Sequence, residues 1–263
     1  MRLVVCLKQV PDPYVIRYDY LNDEIKCIEW VLDSGSFSAL EEALKLKDKF
    51  QAELIALSVG PVRVDRELKK ALLYGADRAI RVWQDWLENA DTFVISSVIA
   101  DVLKELKPDL VFCGARSDDT STEFVGAALA EKLDMALVTR VREIEEVNRD
   151  YIVVHKKLEK GEMETYAVEV PAVITVEVGD FKYPLPHGER LRMGLKKEIE
   201  VYTSSLNPVK PLIDVITPAT KPKPRIKVRK TVGMSPEEMM RLMRGKQREK
   251  RSSQGIQRRR RKK

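Results

Sequence analysis

The chain has 263 residues, 44% hydrophobic and 33% charged, enough for one well-cored domain with an extension. No apolar run approaches the ~18 residues of a membrane-spanning helix, and the opening MRLVVCLKQVPD enters a strand-like run too short for a signal peptide. The net charge of +6 hides an asymmetry: residues 221–263 carry 18 Lys/Arg against 3 Glu, while the rest carries 29 basic and 38 acidic side chains, so an acidic body bears a basic tail.

In chain order, residues 2–7 (RLVVCL) predict a buried first strand. A helix is expected over 38–50, where Ser38 and Glu41 have capping-box spacing and Leu40, Ala43 and Leu44 share a face. ELIALSV at 53–59 predicts a second buried strand, closed by Gly60-Pro61. A helix at 65–74 ends at Gly75, and RAIRV at 78–82 is a third strand. Asp91 is a fitting N-cap for a helix whose stripe includes Val98, Ile99, Val102 and Leu106. DLVFC at 109–113 is a fourth strand, followed by a polar loop and a helix at about 121–133. Strands alternating with helices at this spacing predict an α/β fold: an open, mostly parallel sheet with helices on both faces, Rossmann-like and nucleotide-binding in character.

The rhythm then changes. Residues 141–147, 151–157 and 164–170 alternate in polarity and predict an antiparallel meander, after which PAVITVEV at 171–178 rejoins the main sheet. KYPLPHGERLRMGLKKEIEV ends in a short basic helix. Five prolines within 207–224 preclude regular helix or central strand there. The organisation expected is therefore an α/β domain over 1–205, an extended partner-wrapping C-terminal arm over 206–235, a short docking helix over 236–248 capped by Ser235, and a basic disordered tail over 249–263.

Chemistry concentrates in the loop after the fourth strand, GARSDDTSTEFV. In open parallel sheets ligands sit beyond the carboxyl ends of the strands, and a helix start offers free N–H groups to a phosphate. Ser117, Thr120, Ser121 and Thr122 supply hydroxyls, Asp118 and Asp119 accept from ribose hydroxyls, and Arg116 is the loop's one base. GxGxxG after the first strand, GxxxxGK[ST] and GxSxG are all missing. The histidines, His155 and His187, are far apart, so neither a zinc site nor His-based acid–base catalysis is supported. Cys6, Cys27 and Cys113 are odd in number and lack CxxC spacing, which predicts buried thiols in a reducing, cytoplasmic setting. No catalytic residue and no metal site are expected; Trp30, Trp83 and Trp86 are expected to serve packing or an interface rather than electron relay.

Several ordered motifs now converge. KQVPD at 8–12, ALEEALKLK at 39–47, ALSVGP at 56–61, ALLYGADRAIRV at 71–82, PDLVFCGARSDDTSTEFVG at 108–126, PAVITV at 171–176 and KKEIEV at 196–201 together resemble the beta subunits of electron transfer flavoproteins, over about residues 1–250. The resemblance implies a heterodimer with an alpha subunit that carries most contacts to a redox FAD. It also implies a second adenine nucleotide in the beta subunit, AMP or a second FAD, lined by Cys6, Asp33, Ser34, Gly35, Ser36, Val59, Gly114, Ala115, Arg116, Ser117, Asp118, Asp119, Thr120, Ser121, Thr122, Glu123, Phe124 and Val125. Leu185, between two prolines, falls where the family docks onto partner dehydrogenases of the acyl-CoA type or others, with a quinone reductase as acceptor. Two runs depart from the family's usual pattern, Asp33-Ser34-Gly35-Ser36 and Asp119-Thr120-Ser121-Thr122-Glu123, and Glu123 brings a charge that opposes a phosphate.

The function expected is thus that of an electron-carrier subunit rather than an enzyme, with no specific nucleic acid bound and only indirect membrane contact. Two alternatives stand beside it. One is an electron-bifurcating member that oxidises NADH at a beta-subunit FAD. The other is an adenine-nucleotide sensor whose basic tail binds nucleic acid.

Overall fold

The computed structural model describes residues 1–19, 24–27, 29–88, 90–148, 150–158, 161–179 and 183–206, all within a unit spanning Met1–Ile216. The arm, docking helix and tail expected beyond residue 206 lie outside the described residues.

The first strand, β1 (Arg2–Cys6), is followed by four three-residue strands, β2 (Gln9–Pro11), β3 (Arg17–Asp19), β4 (Glu24–Lys26) and β5 (Trp30–Leu32). These pair antiparallel as β2–β5 and β3–β4, two small ribbons outside the main sheet. The α/β succession follows: α1 (Ser34–Phe50), β6 (Glu53–Val59), α2 (Asp65–Tyr74), β7 (Arg78–Val82), α3 (Thr92–Leu106), β8 (Leu110–Gly114) and α4 (Phe124–Leu133). The meander is β9 (Ala136–Val147), β10 (Tyr151–Lys157) and β11 (Met163–Glu169), and the chain closes with β12 (Ala172–Val176), α5 (Gly188–Lys196) and β13 (Glu200–Tyr202).

Nine strands form one sheet in the order β11-β10-β9-β12-β8-β1-β6-β7-β13. Pairing is parallel from β9 through β13 and antiparallel only in the meander. The sheet is doubly wound. Residues of alternate parity on each strand go to opposite faces, and the core divides accordingly. Leu3, Val5, Leu54, Ala56, Leu110 and Phe112 pack with Leu40 and Leu44 of α1 and Leu68 and Leu72 of α2. Val4, Ile55, Val111 and Val173 pack with Val98, Val102 and Leu103 of α3 and Leu129 of α4. Each fully buried Val, Leu, Ile or Phe side chain among these contributes about 1.5–3 kcal/mol. The expected fold is therefore present, with β12 rejoining the sheet between β8 and β9.

Helix limits follow local chemistry. Asp91 caps α3 by accepting from the Val94 amide at 2.9 Å. Gly75, at φ 122°, ends α2 and returns its N–H to Ala71 and Leu72. Two expectations need correction. Helix α1 starts at Ser34, not Ser38, because the Asp33 carboxylate accepts from the Ser36 amide at 2.8 Å. The Ser38 hydroxyl instead donates to Ser34 O and accepts from Gly179 N, both at 3.2 Å. Helix α4 starts at Phe124, not 121, because Ser121 and Glu123 hold φ of 49° and 55°, which no helix accommodates.

Candidate functional site

The strand order reverses at β1: β6 and β7 extend the sheet on one side, β8 and β12 on the other. This is the switch point of the sheet, where chain crossovers diverge and leave a crevice beyond the carboxyl ends of the strands. The C-terminal residues of the strands meeting there are Cys6, Gly114 and, one strand further, Val59. Cys6 and Cys113 are neighbours across β1 and β8; Cys113 is buried as expected, whereas Cys6 and Cys27 are only half-buried. A hydrogen bond with Cys113, together with burial, pushes the Cys6 thiol up and keeps it protonated.

Two glycines let the first turn of α1 touch the end of β8. A Cβ on Gly114 would stand 2.6 Å from the Gly35 carbonyl carbon, and one on Gly35 would stand 2.5 Å from Arg116 O. Neither position admits a side chain without moving backbone. Around this contact lies a set of reciprocal hydrogen bonds. The Asp118 amide donates to Asp33 Oδ1 at 2.8 Å, while the Asp118 carboxylate accepts from the Ser34 amide at 2.9 Å and the Ser34 hydroxyl at 2.7 Å. Asp33 is 1% exposed. Burial pushes its carboxyl above the ordinary value, against the opposing effect of the Asp118 and Ser36 amides.

Within the loop, Ser117 Oγ and Thr120 Oγ1 are 3.0 Å apart, and Ser121 folds back through its amide and hydroxyl to Ser117 O at 3.0 and 2.8 Å. The Ala115 amide ties the loop's start to Val176 O at 2.8 Å. Helix α4 opens without a side-chain cap, so its first N–H groups have no side-chain acceptor at the N-cap. It sits close on β12, where a Cβ on Gly126 would lie 2.3 Å from Thr175 Cγ2.

The residues expected from sequence thus fall into one neighbourhood. Asp33–Ser36 and Gly114–Asp119 are joined directly by hydrogen bonds and backbone packing. Cys6 and Val59 occupy adjoining strand ends. Thr122–Val125 carry the loop into α4. Leu185 belongs elsewhere: it precedes α5, which packs against α2, and it is 75% exposed. The side chains holding that region are Tyr183, Asp48 and Arg190. The Tyr183 hydroxyl donates to Asp48 at 2.5 Å, and Arg190 reaches both Asp48, at 3.1 Å, and Tyr183.

Two basic residues reach the loop from distant parts of the sequence. Lys8 Nζ donates to Asp119 Oδ1 at 2.5 Å and to Ser117 Oγ at 3.2 Å. Burial raises the Asp119 carboxyl, but Lys8 and the Ser117 hydroxyl outweigh it and hold the group below its ordinary value. Arg140 Nη2 donates to Glu123 at 2.5 Å, so the carboxylate expected to oppose a phosphate is already partnered. Arg140 comes from a bulge in β9 at φ 57°, a feature with no sequence signal. Lys8 carried one, the position directly after the first buried strand, facing an acidic loop. Among the described residues no group of His, Cys, Asp and Glu could hold a metal ion, and no helix is long and apolar enough to cross a membrane.

Fold and site define the class: a doubly wound α/β domain with a polar, hydrogen-bonded loop at its switch point. Residues 27–206 match the family model described as the electron transfer flavoprotein domain. Relatives include the electron transfer flavoprotein subunit beta of Clostridium acetobutylicum, 34% identical over 207 residues, covering 78% of this chain and 79% of that protein. Protein FixA of Azotobacter vinelandii is 30% identical over 243 residues, 86% of each chain. The caffeyl-CoA reductase-Etf complex subunit CarD of Acetobacterium woodii is 32% identical over 189 residues, 70% of this chain and 71% of that one. The chain belongs to the electron transfer flavoprotein beta-subunit family.

Proposed function

We propose that this chain is the beta subunit of a heterodimeric electron transfer flavoprotein. Its alpha partner holds the redox FAD. The beta chain braces that flavin and keeps an adenine nucleotide, AMP or a second FAD, in the crevice formed by Cys6, Asp33–Ser36, Val59 and Gly114–Val125. Leu185 presents an apolar anchor to the dehydrogenase or reductase that exchanges electrons with the flavin, in line with a relative whose name places it in a complex with a reductase.

The observation that carries this reading is the stitched contact between the α1 start and the loop after β8, through Asp33, Ser34 and Asp118 at the switch point. It preorganises the uncapped N–H groups of α4 and the loop hydroxyls beside the crevice. Such an arrangement suits the phosphate and ribose of a nucleotide. The residues present fit that ligand, since donors dominate the helix start and the nearby carboxylates are engaged. FAD supplies the redox chemistry when bound. This chain's residues hold, orient and shield; no side chain acts as acid, base or nucleophile.

Native mass spectrometry of the complex co-produced with its partner tests the reading, with the released nucleotides identified. One FAD with one AMP per heterodimer identifies a simple carrier. Two FAD identify a bifurcating assembly. A chain that purifies without flavin and without nucleotide overturns the proposal.

A further inference from the structure

We propose that Lys8 supplies the ammonium that binds the nucleotide phosphate at this site, and that Asp119 is the counter-ion it leaves to do so. This rests on the nucleotide reading given above and specifies how the site discriminates charge.

The backbone of Lys8 is built into the wall of the crevice. Its amide donates to Ser36 Oγ at 3.0 Å, and its carbonyl accepts from the Asp33 amide at 3.0 Å. Residue 8 therefore cannot drift from the α1 start. Its charged head is not so held. The side chain is 42% exposed, and Nζ lies within reach of Asp119 Oδ1, Ser117 Oγ and Thr120 Oγ1, at 2.5, 3.2 and 3.5 Å. All three are side-chain oxygens of the loop that leads into α4. A lysine on a flexible stem with three donors exchanges one oxygen ligand for another without rearranging its backbone.

Charge balance at the loop favours that exchange, with the exposed Arg116 as the loop's other cation. Asp118 is committed to Ser34, and Arg140 faces Glu123 at 2.5 Å and Glu177 at 3.9 Å. A phosphate arriving at the α4 start would meet the Asp119 carboxylate as a like charge unless a cation stands between them. Lys8 is already among the hydroxyls that such a phosphate would approach. The Lys8–Asp119 pair is partly open to solvent, with side chains 42% and 28% exposed, so water and salt weaken it and repartnering is easy. The pair keeps the loop neutral when no anion is present and yields the cation when one is.

The test measures binding of AMP, FAD and adenosine by calorimetry to the full-length chain in the complex in which it purifies, stripped of nucleotide. Lys8→Met should weaken AMP and FAD by roughly tenfold to a hundredfold, the range for one lost hydrogen bond to a charged group, and leave adenosine unchanged. Asp119→Asn should tighten AMP by roughly threefold or more, since it removes the like charge and frees the ammonium. Lys8→Gln repeats the first measurement should the Met variant fold poorly. AMP binding that is equal in wild type, Lys8→Met and Lys8→Gln overturns the role of Lys8 while leaving a nucleotide site standing. A wild-type complex that binds none of the three compounds removes the nucleotide reading, and this proposal with it.

Discussion

The Asp118 amide donates to Asp33 Oδ1 at 2.8 Å, while the other oxygen of Asp33 accepts from the Ser36 amide at 2.8 Å. One buried carboxylate thus caps helix α1 and fastens the loop after β8. Asp33→Ala removes both functions. Loss of the cap alone costs about 1 kcal/mol, and the freed Asp118 amide adds to it. We expect a total loss of roughly 2 kcal/mol by urea denaturation, with faster amide exchange across residues 114–123. A loop whose exchange is unaltered would show that Asp33 serves α1 only.

Gly114→Ala drives a methyl group into the backbone of Gly35 and Ser36, at 2.6–2.9 Å. Neither neighbour is a side-chain tip that turns aside, so the α1 start must move away from β8. Overpacking of this kind costs roughly 1–3 kcal/mol. The variant should melt lower and, on the proposed function, release nucleotide before it loses the sheet, as read by released nucleotide against far-ultraviolet circular dichroism during heating.

Arg140 and Glu123 are 49% and 40% exposed at their side chains, so their pair contributes little to stability. Arg140→Met is expected to change the unfolding free energy by under about 1 kcal/mol. Its effect should appear in ligand binding, because Glu123 regains an unopposed charge beside the α4 start. Weaker AMP binding in Arg140→Met, restored by adding Glu123→Gln, would demonstrate that masking.

Leu185 and Arg190 should separate by their readouts. Leu185 is exposed, and Leu185→Ala is expected to leave stability within about 0.5 kcal/mol while slowing electron exchange with a partner flavoprotein. Arg190 fixes α5 through Asp48, Tyr183 and the carbonyl of Tyr74. Arg190→Met should admit protease within residues 183–196 and slow the same exchange. Unchanged exchange in Leu185→Ala would remove the docking role.

Acid titration distinguishes Asp119 from Asp33. The folded state holds Asp119 below its ordinary value of about 3.9. Its contribution is therefore complete above that value and lost as pH falls through the lower, folded one. The stability difference between wild type and Asp119→Asn should be largest near neutrality and shrink below about pH 4. Asp33 has the opposite sign: its raised value makes ionisation costly, so its contribution declines as pH climbs from the ordinary value through the folded one. Urea melts from pH 3 to pH 7 follow both.

The residues that were readable from sequence are those whose neighbours are set by local pattern. ELIALSV and RAIRV are apolar runs closed by Gly60-Pro61 and opened by Gly75, and they became β6 and β7 with the expected limits. The start of α1 is hidden in the sequence because Ser34-Gly35-Ser36 has poor helix propensity. The loop from β8, about 80 residues later in the chain, supplies the bonds that override it. Strand β9 begins at Ala136 rather than 141 because Ala136–Val138 pair with β12, whose place in the sheet only the fold reveals. The candidate site was legible at its loop, where hydroxyls and carboxylates crowd together. Lys8 and Arg140 reach it from 111 residues before Asp119 and 17 residues after Glu123, across strand connections that no local window spans.

The short strand β13 carries a final implication. It pairs parallel with β7, and Arg78 grips Glu200 through two bonds of 2.7 Å, while Ser204 and Ser205 bind Asp101 of α3. Strand β13 lies at the border of the sheet farthest from the meander, and these contacts clamp it there. A shortened version ending at Leu206 retains that hem, whereas one ending before Glu200 strips it and bares the row of amide and carbonyl groups along β7, an open seam to which any extended peptide can attach.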